Sequence, residues 1–158
     1  DSLGERGLWG HGFTLYPEII KVPLIMRVPE RFSRGLRPRV DALALTIDVT
    51  PTLHALLGHP LPDERPWLGR SLWSAPGAPR PAPRSVLLAS SYGPTYGLFE
   101  EDTRSLYIAD AVGRRSHLFD LDRDPAGTAD LWSPAVDAEK GRRLRAELER
   151  LDALFPER

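Results

Sequence analysis

Apolar residues are gathered into a few short runs, and their spacing predicts different elements in the two halves of the chain. Ile19 to Val28 (IIKVPLIMRV) is almost continuously apolar, and Val22 to Val28 reads as a buried strand. Lack of alternation in so short a run is what a strand covered on both faces of a mostly parallel sheet shows. Pro29 ends it, and Glu30 to Val40, with Arg31, Arg34, Arg37 and Arg39 around Gly35 and Pro38, reads as a solvated loop. Asp48 and Thr50 are then capping candidates, Pro51 sits at a tolerated first-turn position, and Gly58 follows Leu56 and Leu57, which predicts a helix. Leu53, Leu56 and Leu57 share one face, expected to be its core-facing stripe.

Ser74 to Arg84 (SAPGAPRPAPR) is proline-rich, cannot continue a helix or a sheet, and reads as a stiff connector. Beyond it the pattern changes. Residues 85–92, 96–99, 104–110 and 116–121 are short and rich in strand formers, separated by Gly93-Pro94, Glu101-Asp102 and Gly113-Arg114-Arg115, which predicts four antiparallel strands. Ser133 then caps a helix with Pro134 at its first position, and Val136, Leu144, Leu148, Leu151 and Phe155 recur at helical spacing. This amphipathic helix is expected to pack on the sheet. The expected organisation is α/β over residues 1–73, a connector at 74–84, and a small α+β subdomain over 85–158.

Composition narrows the function classes. With 158 residues, 41% of them hydrophobic and 27% charged, the chain has enough apolar material for a folded core. Its 21 Lys and Arg against 22 Asp and Glu leave a net charge of -1, so no overall field recruits nucleic acid or an anionic membrane. No Cys is present, which excludes disulfides and thiolate zinc sites within the chain without separating cytoplasm from periplasm. The run Ile19 to Val28, broken by Lys21 and Arg27, is far shorter than the roughly 20 residues that span a bilayer.

Candidate chemistry concentrates near the beginning. Gly7, Gly10 and Gly12 bracket Trp9 and His11, so the backbone there can take positive φ and come close to a ligand. A histidine in such a loop, joined directly to a buried strand, has the look of half an active site.

These residues also carry a resemblance. Leu3-Gly4-Glu5-Arg6-Gly7, Trp9, His11 and Val22-Pro23-Leu24-Ile25 resemble the sulfatase family of the alkaline phosphatase superfamily. There, a metal-binding Asp-His-Gly is followed by Leu-Gly-Glu-His/Arg-Gly, a Trp, a basic residue and a Val-Pro-Leu-Ile strand. Three more segments follow in the family's order: Thr46 to Leu53 with Leu56-Leu57-Gly58; Gly69-Arg70-Ser71-Leu72; and Leu118-Phe119-Asp120-Leu121-Asp122-Arg123-Asp124-Pro125 through Leu131. The last departs from the family pattern at Thr128, where Glu is usual, and at Asp130, where Asn is usual.

The resemblance implies the C-terminal portion of a sulfatase: part of an alkaline-phosphatase-like sheet sandwich followed by a small antiparallel sheet and a C-terminal helix. The implied reaction is cleavage of a small-molecule or saccharide sulfate ester by a formylglycine hydrate with a divalent cation, expected to be calcium. This chain has neither Cys nor Ser-x-Pro-x-Arg, so the nucleophile and the metal ligands are expected upstream of it. His11 aligns with the family's Lys or His that contacts the sulfate and assists the leaving oxygen, and Trp9 and Tyr16 are candidate walls of the substrate cleft. A phosphoester or phosphonate hydrolase, a phosphoethanolamine transferase of the same superfamily, and a noncatalytic module are the alternatives. Arg6 and Glu5 are expected as an ion pair or loop anchor, and Glu18 and Lys21 as solvated or loop-pairing charges. His54, His59 and His117 have no second ligand at a metal-like spacing. Asp120, Asp122 and Asp124 lack the Gly and Glu of a calcium loop and are expected to build a strand-end turn.

Overall fold

A computed structural model describes residues 1–33, 42–63, 66–73, 81–111 and 113–155. The elements run β1 (Ser2–Leu3), β2 (Trp9–Gly10), α1 (Pro17–Ile20), α2 (Glu30–Ser33), α3 (Val49–Leu57), β3 (Ser85–Ala89), β4 (Thr95–Glu100), β5 (Ser105–Asp110), β6 (Arg115–Asp120) and α4 (Pro134–Leu154). Strands β3 to β6 form the expected antiparallel sheet, in the order of the chain. Register places Leu87, Leu98, Tyr107 and Leu118 in one cross-strand row. The neighbouring row, facing the other way, holds Leu88, Gly97, Ile108 and His117.

Helix α4 covers the first face. It starts as its sequence dictates, with the Ser133 hydroxyl accepting the Val136 amide and Pro134 in the first turn. Its Leu144 is buried against Leu98 and Tyr107, with Leu148 alongside. Two polar ties fix its register: the Tyr107 hydroxyl donates to Asp137 at 2.7 Å, and the buried Glu100 carboxylate pairs with Lys140 and Arg143.

Leu106, Tyr107 and Ile108 are all buried, so the sheet is covered on both faces. The second cover is the segment before Val22, which belongs to one compact unit with residues 82–158, while residues 23–81 form another. Leu15 is buried where Gly97 leaves room; a Cβ on Gly97 would lie 3.1 Å from Leu15 Cδ1. Packing therefore divides the chain differently from composition: residues 1–22 group with the sheet of the C-terminal half, not with residues 23–73. Arg34, Arg37, Arg39 and residues 74–80 of the connector lie outside the described residues.

In the unit of residues 23–81, two of the motifs interlock. The buried Asp48 carboxylate accepts the amides of Leu45 and Arg70, both at 2.9 Å, instead of capping α3. The Leu72 amide donates to the Thr52 hydroxyl, and Gly69 is required because a Cβ there would meet the Ile47 carbonyl oxygen at 1.9 Å. Gly58 ends α3 in the left-handed region at φ 69, as expected.

Two expectations are corrected. Residues Val22 to Val28 form no strand; Val22, Leu24 and Met26 are exposed and Ile25 is 92% exposed. Strand geometry needs hydrogen-bonded neighbours, and none of the described residues lies alongside as a paired strand. Likewise Leu53 and Leu57 of α3 face outward rather than into a core. Among the described residues, no helix is long and apolar enough to cross a membrane.

Candidate functional site

The glycine-rich loop folds as a miniature hairpin. Strand β1 pairs antiparallel with β2, Ser2 opposite Gly10 and Leu3 opposite Trp9, around a single 3₁₀ turn at Glu5–Gly7. The Ser2 side chain is buried inside it, 3.0 Å from the Leu8 carbonyl. The Glu5 carboxylate accepts the Leu3 amide at 2.5 Å, and this backbone hydrogen bond leads in holding its carboxyl below the ordinary value. Gly7, Gly10 and Gly12 all take positive φ, as their spacing predicts.

Gly12 is the critical one. At φ 96 its missing side chain lets the Tyr92 ring approach, where a Cβ would lie 2.7 Å from Tyr92 Cδ2. Its carbonyl accepts the Tyr92 amide at 3.1 Å, and Phe13 stacks on Tyr92 with ring centroids 5.3 Å apart. The hairpin is thereby fastened to the turn between β3 and β4.

His11 stands between these fixed points. Its side chain is 72% exposed and its Nδ1 meets the Asp1 carboxylate, which leaves Nε2 for an external oxygen. Trp9 is 74% exposed, its ring lying across Gly4. Tyr16 is placed elsewhere, against His117 and Phe119 of β6 with the Arg6 guanidinium 4.3 Å from its ring centroid. Among the described residues, no hydrogen bond or ring contact joins Tyr16 to His11 or Trp9. Burial raises the Tyr16 phenol above its ordinary value, partly offset by Arg6.

The remaining charges act as anchors. Arg6 pairs with Glu18 at 2.5 Å and donates to the carbonyls of Ala126 and Gly127 at 2.9 and 2.6 Å. Lys21 donates to the Pro125 carbonyl. In the strand-end turn, Asp120 accepts the amides of Asp122 and Arg123, and Asp124 those of Thr128 and Ala129. The Ala129 amide leads in keeping the Asp124 carboxyl below its ordinary value. Their lone pairs are thus directed at backbone amides, and no group of three or more His, Asp or Glu among the described residues is arranged to hold a metal. The donor set described here does not fit a resident divalent cation.

Sequence reasoning passed over one grouping. His117, set aside for want of a nearby ligand, lies 2.8 Å from Asp130, and its other ring nitrogen lies 3.4 Å from the Tyr16 hydroxyl. The signal was Asp130 itself, a carboxylate in a position where the motif has an amide.

Comparison with known proteins bears on the family to which the motifs point. No protein-family model matches the chain. A choline-sulfatase of Rhizobium meliloti (strain 1021) is 35% identical over 130 residues, 79% of this chain and 24% of the relative. The chain thus spans about a quarter of that relative's length. Two solved structures overlay on it at 24% identity. One is a protein of Bacteroides thetaiotaomicron VPI-5482 assigned to the sulfatases, with a TM-score of 0.49, 74% of this chain and 26% of that one covered. The other is a 2-O GAG sulfatase, with a TM-score of 0.45, 67% of this chain and 24% of that one covered. Taken with the four ordered motifs, the sequence match shows that the chain belongs to the sulfatase family.

Proposed function

We propose that this chain is the C-terminal portion of a hydrolase of sulfate monoesters, and that His11 serves the leaving-group side of its site. The formylglycine nucleophile and the divalent cation, calcium by family resemblance, belong in this reading to polypeptide outside the chain. The chain's own lack of Cys and its amide-bound carboxylates agree with that division. The observation that carries the proposal is the exposed imidazole of His11, held on a hairpin whose glycines, Glu5 and Trp9 match the family pattern.

The chemistry follows from where charge appears. As the S–O bond of a sulfate ester breaks, negative charge builds on the bridging oxygen, and a protonated imidazole within hydrogen-bond reach can neutralise it. Asp1 on Nδ1 orients the ring so that Nε2 is the nitrogen turned toward the leaving oxygen. General acid assistance of this kind contributes about 10²- to 10⁴-fold.

The test uses the full-length protein on a series of sulfate esters with leaving groups of increasing pKa. His11→Ala should lower kcat by about 10²-fold or more on alkyl sulfates, whose alkoxide needs a proton. On aryl sulfates with acidic phenols the loss should be much smaller. Equal losses across the series, or none, would refute the leaving-group role, and turnover of phosphate esters alone would move the assignment within the superfamily. The chain by itself should release no sulfate.

A further inference from the structure

His117 is tied at both ring nitrogens. The Asp130 carboxylate is fixed first, its Oδ1 accepting the amides of Leu118 and Trp132, each at 3.0 Å. Its Oδ2 faces His117 Nδ1 at 2.8 Å, which directs the Nδ1 proton at the carboxylate and leaves Nε2 facing away from Asp130. The Tyr16 hydroxyl lies 3.4 Å from that Nε2, within hydrogen-bond reach. The ring of Tyr16 is held from two sides, by His117 and Phe119 with centroids 5.8 and 5.9 Å away, and by the Arg6 guanidinium.

We propose that Asp130 and His117 are positioning residues which, through the Tyr16 hydroxyl, set the register of the His11 loop against β6. This rests on the reading that His11 contacts the leaving oxygen. Between Gly10 and Tyr16 the loop is held to the sheet and its turns at Gly12, where Tyr92 donates, at Leu15, which fills the gap over Gly97, and at Tyr16. Leu15 is a nondirectional contact, while the Tyr92 amide on the Gly12 carbonyl and the Phe13–Tyr92 stack hold only the near end of the loop. The Asp130–His117–Tyr16 chain supplies the directional constraint at the far end, five residues from His11. A displacement of about 1 Å at a reacting group lowers turnover by up to about 10²-fold, so a polar chain that touches no substrate can still control kcat.

Asp130→Asn tests this most cleanly. The variant keeps an oxygen for the Leu118 and Trp132 amides but presents an NH₂ to His117, which favours the opposite tautomer, makes Nε2–H the donor to the Tyr16 oxygen and so redirects the phenolic proton. In the full-length protein, kcat should fall about tenfold to a hundredfold with KM within about twofold of wild type. His117→Phe, which keeps the ring against Phe119, should fall equally, and the double variant no further than either single. Imidazole ¹⁵N shifts should report Nδ1–H at His117 in the wild type and its loss in Asp130→Asn. Hydrogen exchange at Gly10 to Phe13 should rise in both variants.

An Nε2–H tautomer in the wild type would overturn the proposal. So would variants whose kcat stays within about twofold, or whose effects multiply in the double. Unchanged exchange at Gly10 to Phe13 would overturn it as well. His11→Ala separates the two readings: if it leaves turnover intact the leaving-group role falls, while the tautomer and the loop exchange still decide whether Asp130 and His117 position the loop.

Discussion

Glu100 offers the sharpest test of how this sheet holds its helix. The residue is 2% exposed, yet its carboxylate is ionised, with Lys140 and Arg143 paired to it and the Ser105 hydroxyl donating at 2.8 Å. Burial alone would raise its pKa; the Lys140 ammonium and the Ser105 hydroxyl, with the charge of Arg143, outweigh it and bring the net value below the ordinary 4.5. Glu100→Gln removes the charge at constant size. Arg143, 48% exposed, can turn to water and adds little, but Lys140, 13% exposed, is left without its anion. Breaking a buried pair from one side costs about 3–5 kcal/mol, and the flexible Lys140 stem allows partial escape to solvent, so about 3 kcal/mol is expected. With a urea slope of about 1–3 kcal/mol per M, the unfolding midpoint should drop by about 1–3 M at pH 7. A group whose folded pKa is depressed stabilises above its unfolded value and loses that contribution as pH falls through the folded one. The difference between wild type and Glu100→Gln should therefore shrink below pH 4.5. Glu100→Leu with Lys140→Met, which removes both charges, should recover most of the loss. A loss under about 1 kcal/mol for Glu100→Gln, or one that persists unchanged in acid, would refute this account of the cluster.

Leu144→Ala should cost about 3 kcal/mol, since it opens a cavity against Leu98 and Tyr107, and the urea midpoint should move without a change in slope. Gly12→Ala should destabilise by about 2 kcal/mol through its φ of 96 and the Tyr92 clash; adding Tyr92→Ala should return only the steric part, as thermal unfolding would show. Asp130 is pushed up by burial, but the amides of Leu118 and Trp132 and the His117 side chain hold it below its ordinary 3.8. Its contribution is present above that value and lost as pH falls through the depressed one, so Asp130→Asn and wild type should differ in urea stability at pH 7 and converge in acid below pH 3.8.

Much of this fold was legible because its signals are local. Ser133 and Pro134 mark the start of α4 through a hydroxyl and a fixed φ, and the Gly-Pro and Gly-Arg-Arg breaks delimit the strands of a meander whose neighbours in sequence are neighbours in space. The shape of the hairpin was legible too, since the glycines that take positive φ bracket Trp9 and His11 in sequence. What covers a face is another matter. The pattern of β5 shows burial on both sides, but nothing in Leu106, Tyr107 or Ile108 states that Leu15 and Tyr16, about ninety residues earlier, supply the second cover. The misread run from Val22 to Val28 makes the same point from the other direction: continuous apolarity measures a demand for cover, and a strand appears only where hydrogen-bonded neighbours meet it. Asp130 and His117 then follow as the polar counterpart. A carboxylate replacing an amide at a turn is nearly silent in one dimension, and gains meaning only when the fold sets an imidazole beside it and a phenol beyond.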